Sequence, residues 1–179
     1  VHTCALQIFH PPKSMLELWE SLPVGTLCQF ININLIMSPA PKEIHQEVLN
    51  RINVRIFNFL EVSKIGKVRI SPYDVHFSKQ NILQPDLFFI RNENLDRIEK
   101  DGLYGAPDMV IEVLSPSTSK IDYEEKKLVY ERYGVEEYFI VDPNTRSVDS
   151  FFLKDDKYRE QRTVVGKINS VILGTKISF

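Results

Sequence analysis

The 179-residue chain has no excess of charge of either sign. Lys and Arg number 22 against 24 Asp and Glu, a net charge of −2, with a pI near 6.1. A protein-wide basic field is thereby excluded, and any nucleic-acid contact must come from a local patch. Cysteine is scarce: Cys4 and Cys28 match neither a disulfide framework nor a CxxC metal pair, and read as small buried residues of a reducing compartment. No apolar run approaches the ~18 residues of a membrane-spanning helix, and Val1-His2-Thr3-Cys4 is not the start of a secretory signal. The expected location is cytoplasmic. The GxSxG, GxxxxGK(S/T), GxGxxG and HExxH motifs are missing, which removes several hydrolase and nucleotide-binding classes. His2, His10, His45 and His76 stand apart from the cysteines, so zinc has little support.

What is present is ordinary globular composition, 43% hydrophobic and 26% charged, in a length that fits one domain over residues 1–179. Met15, Leu16, Leu18 and Trp19 predict a short helix with Ser14 as N-cap. Leu27 to Met37 alternates as one strand, ended by Ser38-Pro39-Ala40-Pro41. Ile44, Val48, Ile52, Ile56 and Phe59/Leu60 recur at helical spacing and predict a long helix from Lys42 to about Glu61. Beyond it the period falls to two, with short strands around Val68–Ile70 and Tyr73–Phe77. Leu87–Ile90 and Met109–Leu114 are compact apolar strands, each entered through Pro-Asp. A second helix is expected over Lys120–Tyr133, stopped by Gly134. Glu137–Val141 and a hairpin of Val148–Leu153 with Tyr158–Val165 follow. The order predicts an α/β protein, a mixed sheet covered by helices.

Acidic residues inside these apolar strands carry the chemistry. Asp86 heads Leu87-Phe88-Phe89-Ile90, and Glu112 sits within Val110-Ile111-Glu112-Val113-Leu114. A carboxylate buried in such a run costs several kcal/mol unless paired, hydrogen-bonded or metal-bound. Asp86 could also be a turn residue after Pro85; Glu112, in mid-strand, has no such explanation. If the two runs pair antiparallel with Ile90 opposite Asp108, Asp86 falls opposite Glu112, with Cβ atoms about 4.5–5.5 Å apart. Two carboxylates so close repel unless a cation lies between them, and a hard divalent ion such as Mg²⁺ suits an oxygen-only pair. Asp108 would then lie about 13 Å away along the strand, as a strand-opening residue. On the second helix Lys126 falls on the apolar side with Val129, Tyr130 and Tyr133. It either snorkels or holds an ammonium near the metal.

One extended block is distinctive. Gln84-Pro85-Asp86, then Gly105-Ala106-Pro107-Asp108-Met109-Val110-Ile111-Glu112-Val113-Leu114-Ser115-Pro116-Ser117-Thr118, then Asp122, Lys126, Tyr130 and Gly134-Val135-Glu136-Glu137-Tyr138, ending at Val141-Asp142-Pro143, resembles the Uma family. This is a bacterial family of endonucleases within the PD-(D/E)xK superfamily. The resemblance runs from about Leu16 to Phe152. It implies a restriction endonuclease-like mixed sheet flanked by helices, a Mg²⁺ (or Mn²⁺) cofactor and a DNA substrate. It casts Asp86 and Glu112 as metal ligands. The lysine that the superfamily carries two residues after its glutamate is absent here, since Leu114 occupies that place, and Lys126 on the following helix matches in its stead. His45 also matches a recurrent position, although an ordinary partly buried histidine reads equally well. Where the family has a Tyr-Glu pair and an acidic-Gly turn, this chain reads Cys28-Gln29 and Asn32-Ile33. The expected function is therefore a Mg²⁺-dependent endonuclease, with Asp86, Glu112 and Lys126 catalytic and His45 and Asp108 secondary candidates. The alternative is a catalytically decayed module that binds DNA or a protein partner. A homodimer is the default assembly.

Overall fold

A computed structural model describes residues 11–23, 25–116 and 119–179; His2, Cys4, His10, Ser117 and Thr118 lie outside them. The short helix α1 (Met15–Glu20) is capped by Ser14, whose hydroxyl accepts from the Glu17 N–H. The run read as a single strand is a hairpin of β1 (Cys28–Ile31) and β2 (Asn34–Met37). Asn32 and Ile33 both take positive φ, 48° and 65°, the geometry of a two-residue hairpin turn. The β-branched Ile33 disguises that turn in the sequence. It is pinned from outside: the Asn32 N–H donates to Asn81 Oδ1 and the Ile33 N–H to the Gln80 carbonyl.

Helix α2 (Glu43–Ser63) forms where the apolar period predicts it, but its inward stripe is His45, Val48, Leu49, Ile52, Ile56 and Leu60. Ile44 faces out. Strands β3 (Gly66–Ile70), β4 (Val75–Ser78), β5 (Asn81–Leu83) and β6 (Leu87–Arg91) follow, then a 3₁₀ turn, Asn92–Arg97, and the short β7 (Leu103–Tyr104). Strand β8 (Met109–Val113) leads into α3 (Ser119–Ile121), a π-helical turn (Asp122–Lys126) and α4 (Lys127–Tyr133), ended by Gly134 at φ 85°. The regular helix expected over Lys120–Tyr133 is thus interrupted by one wide turn. The chain closes with β9 (Glu137–Val141), β10 (Ser147–Lys154), β11 (Lys157–Val165), β12 (Lys167–Ser170) and β13 (Thr175–Ser178).

The central sheet has the order β11-β10-β9-β8-β6-β3. Only β8 and β9 run parallel, joined by the helical crossover; the other neighbours are antiparallel. Side-chain alternation along β8 splits the core in two. Met109, Ile111 and Val113 pack with α2 and the β12–β13 hairpin, while Val110 packs with Val129 and Tyr130 of α4 and with the second sheet, β2-β1-β5-β4-β7. Buried Glu137 fastens the C-terminal hairpin: it accepts from Ser170 Oγ (2.6 Å) and from the N–H groups of Val171 and Ile172.

Asp108, only 5% exposed, is the clamp at the start of β8. It accepts from the Arg91 N–H and guanidinium, both at 2.7 Å, and from Asn94 Nδ2 at 2.8 Å. Arg91 also binds Glu136, which holds the Glu136 carboxyl below its usual range. That contribution is present above the ordinary carboxylate pKa and disappears as pH falls through the lowered value. Asp108→Asn should lower stability by ~2 kcal/mol, read as a lower urea midpoint at unchanged m-value.

Candidate active site

Strands β6 and β8 pair with Leu87 opposite Ile111, Phe88 opposite Val110 and Phe89 opposite Met109. Continued by one step, this register sets Asp86 across from Glu112, and the contact is direct: the Asp86 N–H donates to Glu112 Oε2 at 3.3 Å. The Asp86 carboxylate is held from two further sides. Its Oδ2 accepts from the Val113 N–H at 2.8 Å and meets His45 Nε2 at 3.1 Å. Burial works against a charge on His45, but the bond to Asp86 and its negative charge outweigh it and raise the imidazole pKa.

Glu112 is 1% exposed and Lys126 3%. Lys126 Nζ lies 2.9 Å from Glu112 Oε1 and 2.9 Å from Asp122 Oδ1, and Tyr130 donates its hydroxyl to the same Glu112 oxygen at 2.6 Å. Asp122, Lys126 and Tyr130 stand four residues apart on one side of the crossover helix. The π turn supplying the first two is tied down by Tyr138, whose hydroxyl donates to the Asp122 carbonyl at 2.9 Å. Such turns recur at functional sites, where the wider winding re-aims side chains. Burial pushes the Glu112 carboxyl up to about 8; Lys126 opposes this, while Asp86 and Asp122 add to it. Burial also opposes the Lys126 charge, but Asp122, Glu112 and Asp86 together keep the ammonium protonated.

Asp86, Glu112, Asp122, His45 and Lys126 line one cavity of about 360 Å³. Its rim is built from Ser38–Lys42, Ser71-Pro72 and Ser115-Pro116. Gln29 lies in its wall, its Oε1 accepting from the Gln84 N–H at 3.1 Å. Asp108 is at the other end of β8 and does not line this cavity. Tyr130 was placed by the sequence on the packed face of its helix, without a role at the site. The i, i+4, i+8 spacing of Asp122, Lys126 and Tyr130 is the signal that could have found it.

Residues 28–174 match the model of the Uma2 family, whose description is "Putative restriction endonuclease". The chain belongs to the Uma2 family. No curated protein matches it. Among solved structures it is similar to one described as a putative nuclease from Anabaena variabilis, with a TM-score of 0.62, 21% identity, and coverage of 86% of this chain and 83% of that one. At that identity the likeness speaks for the fold, a nuclease fold. Family and fold together support a nuclease. No helix among the described residues is long and apolar enough to cross a membrane. Within this Uma2 chain Gln29 is a neutral amide in the wall of the carboxylate cavity.

Glu112 should titrate near 8 in metal-free protein, measured by carboxyl ¹³C NMR, and Lys126→Met should move it higher by removing the opposing cation. Because the folded-state value is raised, this group's share of stability falls as pH climbs from the ordinary carboxylate range to about 8. Glu112 titrating as a free side chain would refute the arrangement.

Proposed function

We propose that this Uma2 protein is a divalent-metal-dependent endonuclease that hydrolyses DNA phosphodiester bonds, with Asp86 and Glu112 as metal ligands. The supporting observation is the charge imbalance of one cavity: among the described residues Asp86, Glu112 and Asp122 converge there, with Lys126 paired to the last two and Lys42 at the rim. A buried excess of carboxylate oxygen calls for a hard cation. No three His, Cys, Asp or Glu side chains among the described residues form a metal-holding group. The protein would therefore provide two carboxylates and leave the rest of the shell to water and phosphate, the usual manner of holding Mg²⁺; Mn²⁺ suits the same donors. Such an ion supplies charge stabilisation at the phosphate and a more acidic water.

The chain's own groups prepare for that. Lys126 and Tyr130 occupy Glu112 Oε1, turning Oε2 towards Asp86. Val113 and His45 occupy Asp86 Oδ2, leaving Oδ1 for the cavity. Lys126 favours the ionised form of Glu112 against its burial and adds positive potential where negative charge develops on the phosphate. His45 orients Asp86. A two-fold dimer is the default assembly for such a chain, and the free thiol of Cys28 suits a reducing cytoplasm.

Gln29 favours a second reading, a decayed nuclease that retains binding. Its amide stands where the family carries a carboxylate, in the wall of this cavity. With plasmid DNA and Mg²⁺ or Mn²⁺ the protein should nick or linearise it, and EDTA should stop the reaction. Glu112→Gln should abolish cleavage, and Lys126→Ala should slow it on the order of 10²–10³-fold. Equal activity of wild type and Glu112→Gln would refute the assignment. Inactivity of the wild type, with cleavage restored by Gln29→Glu, would establish the decayed enzyme.

A further inference from the structure

Beside the carboxylate cavity lies a larger one, of about 780 Å³. The two share Gln84, and β1 partitions them: Gln29 lines the first and its neighbour Cys28 the second, as alternation along a strand requires. The wall of the second is aromatic and comes from three elements. His76 of β4 and Tyr104 of β7 pair in parallel register, and their rings stack at 4.4 Å with 5° between planes. Trp19 of α1 meets His76 edge-on at 5.7 Å. Gly102 lets the imidazole sit close, since a Cβ there would fall 2.9 Å from His76 Cδ2 and 2.7 Å from the Asp74 carbonyl. Tyr104 nevertheless stays 39% exposed.

The charged lining points to what such rings would hold. Among the described residues of the lining, Glu20, Asp74 and Asp101 face only Lys79, a balance that repels phosphate and admits an uncharged ring with amino or imino donors. Burial lowers the His76 pKa against the pull of Asp74, Asp101 and Glu99, so the stack is neutral at physiological pH. Meanwhile the first cavity, about 360 Å³ with Glu112 and Lys126 almost wholly enclosed, has room for one nucleotide of a strand.

We propose that the cavity lined by Trp19, His76 and Tyr104 is a base-binding subsite. It takes an unpaired base of a DNA strand whose phosphodiester enters the neighbouring carboxylate cavity, so the substrate is single-stranded or locally opened DNA. Stacking on aromatic side chains is the sequence-tolerant way of gripping such a strand. The choice of ligand rests on the nuclease reading; the subsite itself can be tested without cleavage.

Trp19 is the only tryptophan of the chain, so its fluorescence reports directly on this cavity. In EDTA at low salt, a short oligo(dC) should quench Trp19 saturably, and a blunt duplex should bind at least about ten-fold more weakly. Tyr104→Ala should weaken oligo(dC) binding on the order of ten-fold, the usual loss of one stacked base, whereas Tyr104→Phe, which keeps the ring, should bind as wild type does. With Mg²⁺ or Mn²⁺, cleavage should be faster on single strand than on duplex. Equal binding of duplex and single strand, absence of quenching, or Tyr104→Ala binding as tightly as Tyr104→Phe would each overturn the subsite. Cleavage of duplex DNA without quenching would overturn it and leave the nuclease standing. Quenching with no cleavage of any DNA would uphold it and overturn the nuclease.

Discussion

One carboxylate, that of Glu112, sets the terms for the rest of the protein. It sits in the middle of a sheet strand with apolar neighbours on both sides in sequence. A lone ion there would cost several kcal/mol. The structure surrounds it with three donors: the Lys126 ammonium, the Tyr130 hydroxyl and the Asp86 N–H. Removing one partner of a buried ion pair commonly costs about 3–5 kcal/mol. Lys126, Asp122 and Tyr130 are therefore bound as tightly to folding as to any chemistry. The same bonds fix the carboxylate's orientation, so stability and site geometry are two readings of one set of contacts.

That constraint explains the surrounding architecture. The β6–β8 register must bring Asp86 level with Glu112, and the clamp of Arg91, Asn94 and Asp108 at the far end of the pair holds that register. Sliding one strand by a single residue would turn Asp86 to the opposite face. The crossover helix must in turn deliver a cation from above the sheet, and it does so from a π turn anchored by Tyr138. The second sheet closes the space alongside, and its first strand separates two cavities of different character, one acidic and oxygen-lined, one aromatic.

Much of this was legible from residue order, and the exceptions have physical causes. Pro-Asp before each apolar run, with a glutamate inside the second, set the carboxylates opposite each other once Ile90 was assumed to face Asp108, and that is the register the strands adopt. The helical wheel put Lys126 inward for the same reason that it put Tyr130 there. The Asn32-Ile33 turn escaped because a β-branched residue rarely takes positive φ, and the bonds that pin it to Asn81 and Gln80 are long-range in sequence. Ile44 was assigned to the core on hydrophobicity. The helix instead turns His45 inward, because that imidazole has a carboxylate waiting. The β12–β13 hairpin went unread, since its anchor, Glu137, lies far away in sequence. The aromatic cavity was likewise invisible, as it is assembled from α1, β4 and β7.

The crossover has one more consequence. Glu112, Asp122, Lys126, Tyr130 and Tyr138 all belong to a single unbroken strand–helix–strand stretch, whereas Asp86 and His45 come from elsewhere. The acid of β8 thus meets its counter-charge by closing a short loop, a fast event with little entropy to lose. During folding it need not wait, ionised and unpaired, for distant segments to arrive. Half of the site can then travel as a cassette in which the strand acid already has its counter-ion, and the remaining ligand can be varied without exposing the nascent core to a naked charge.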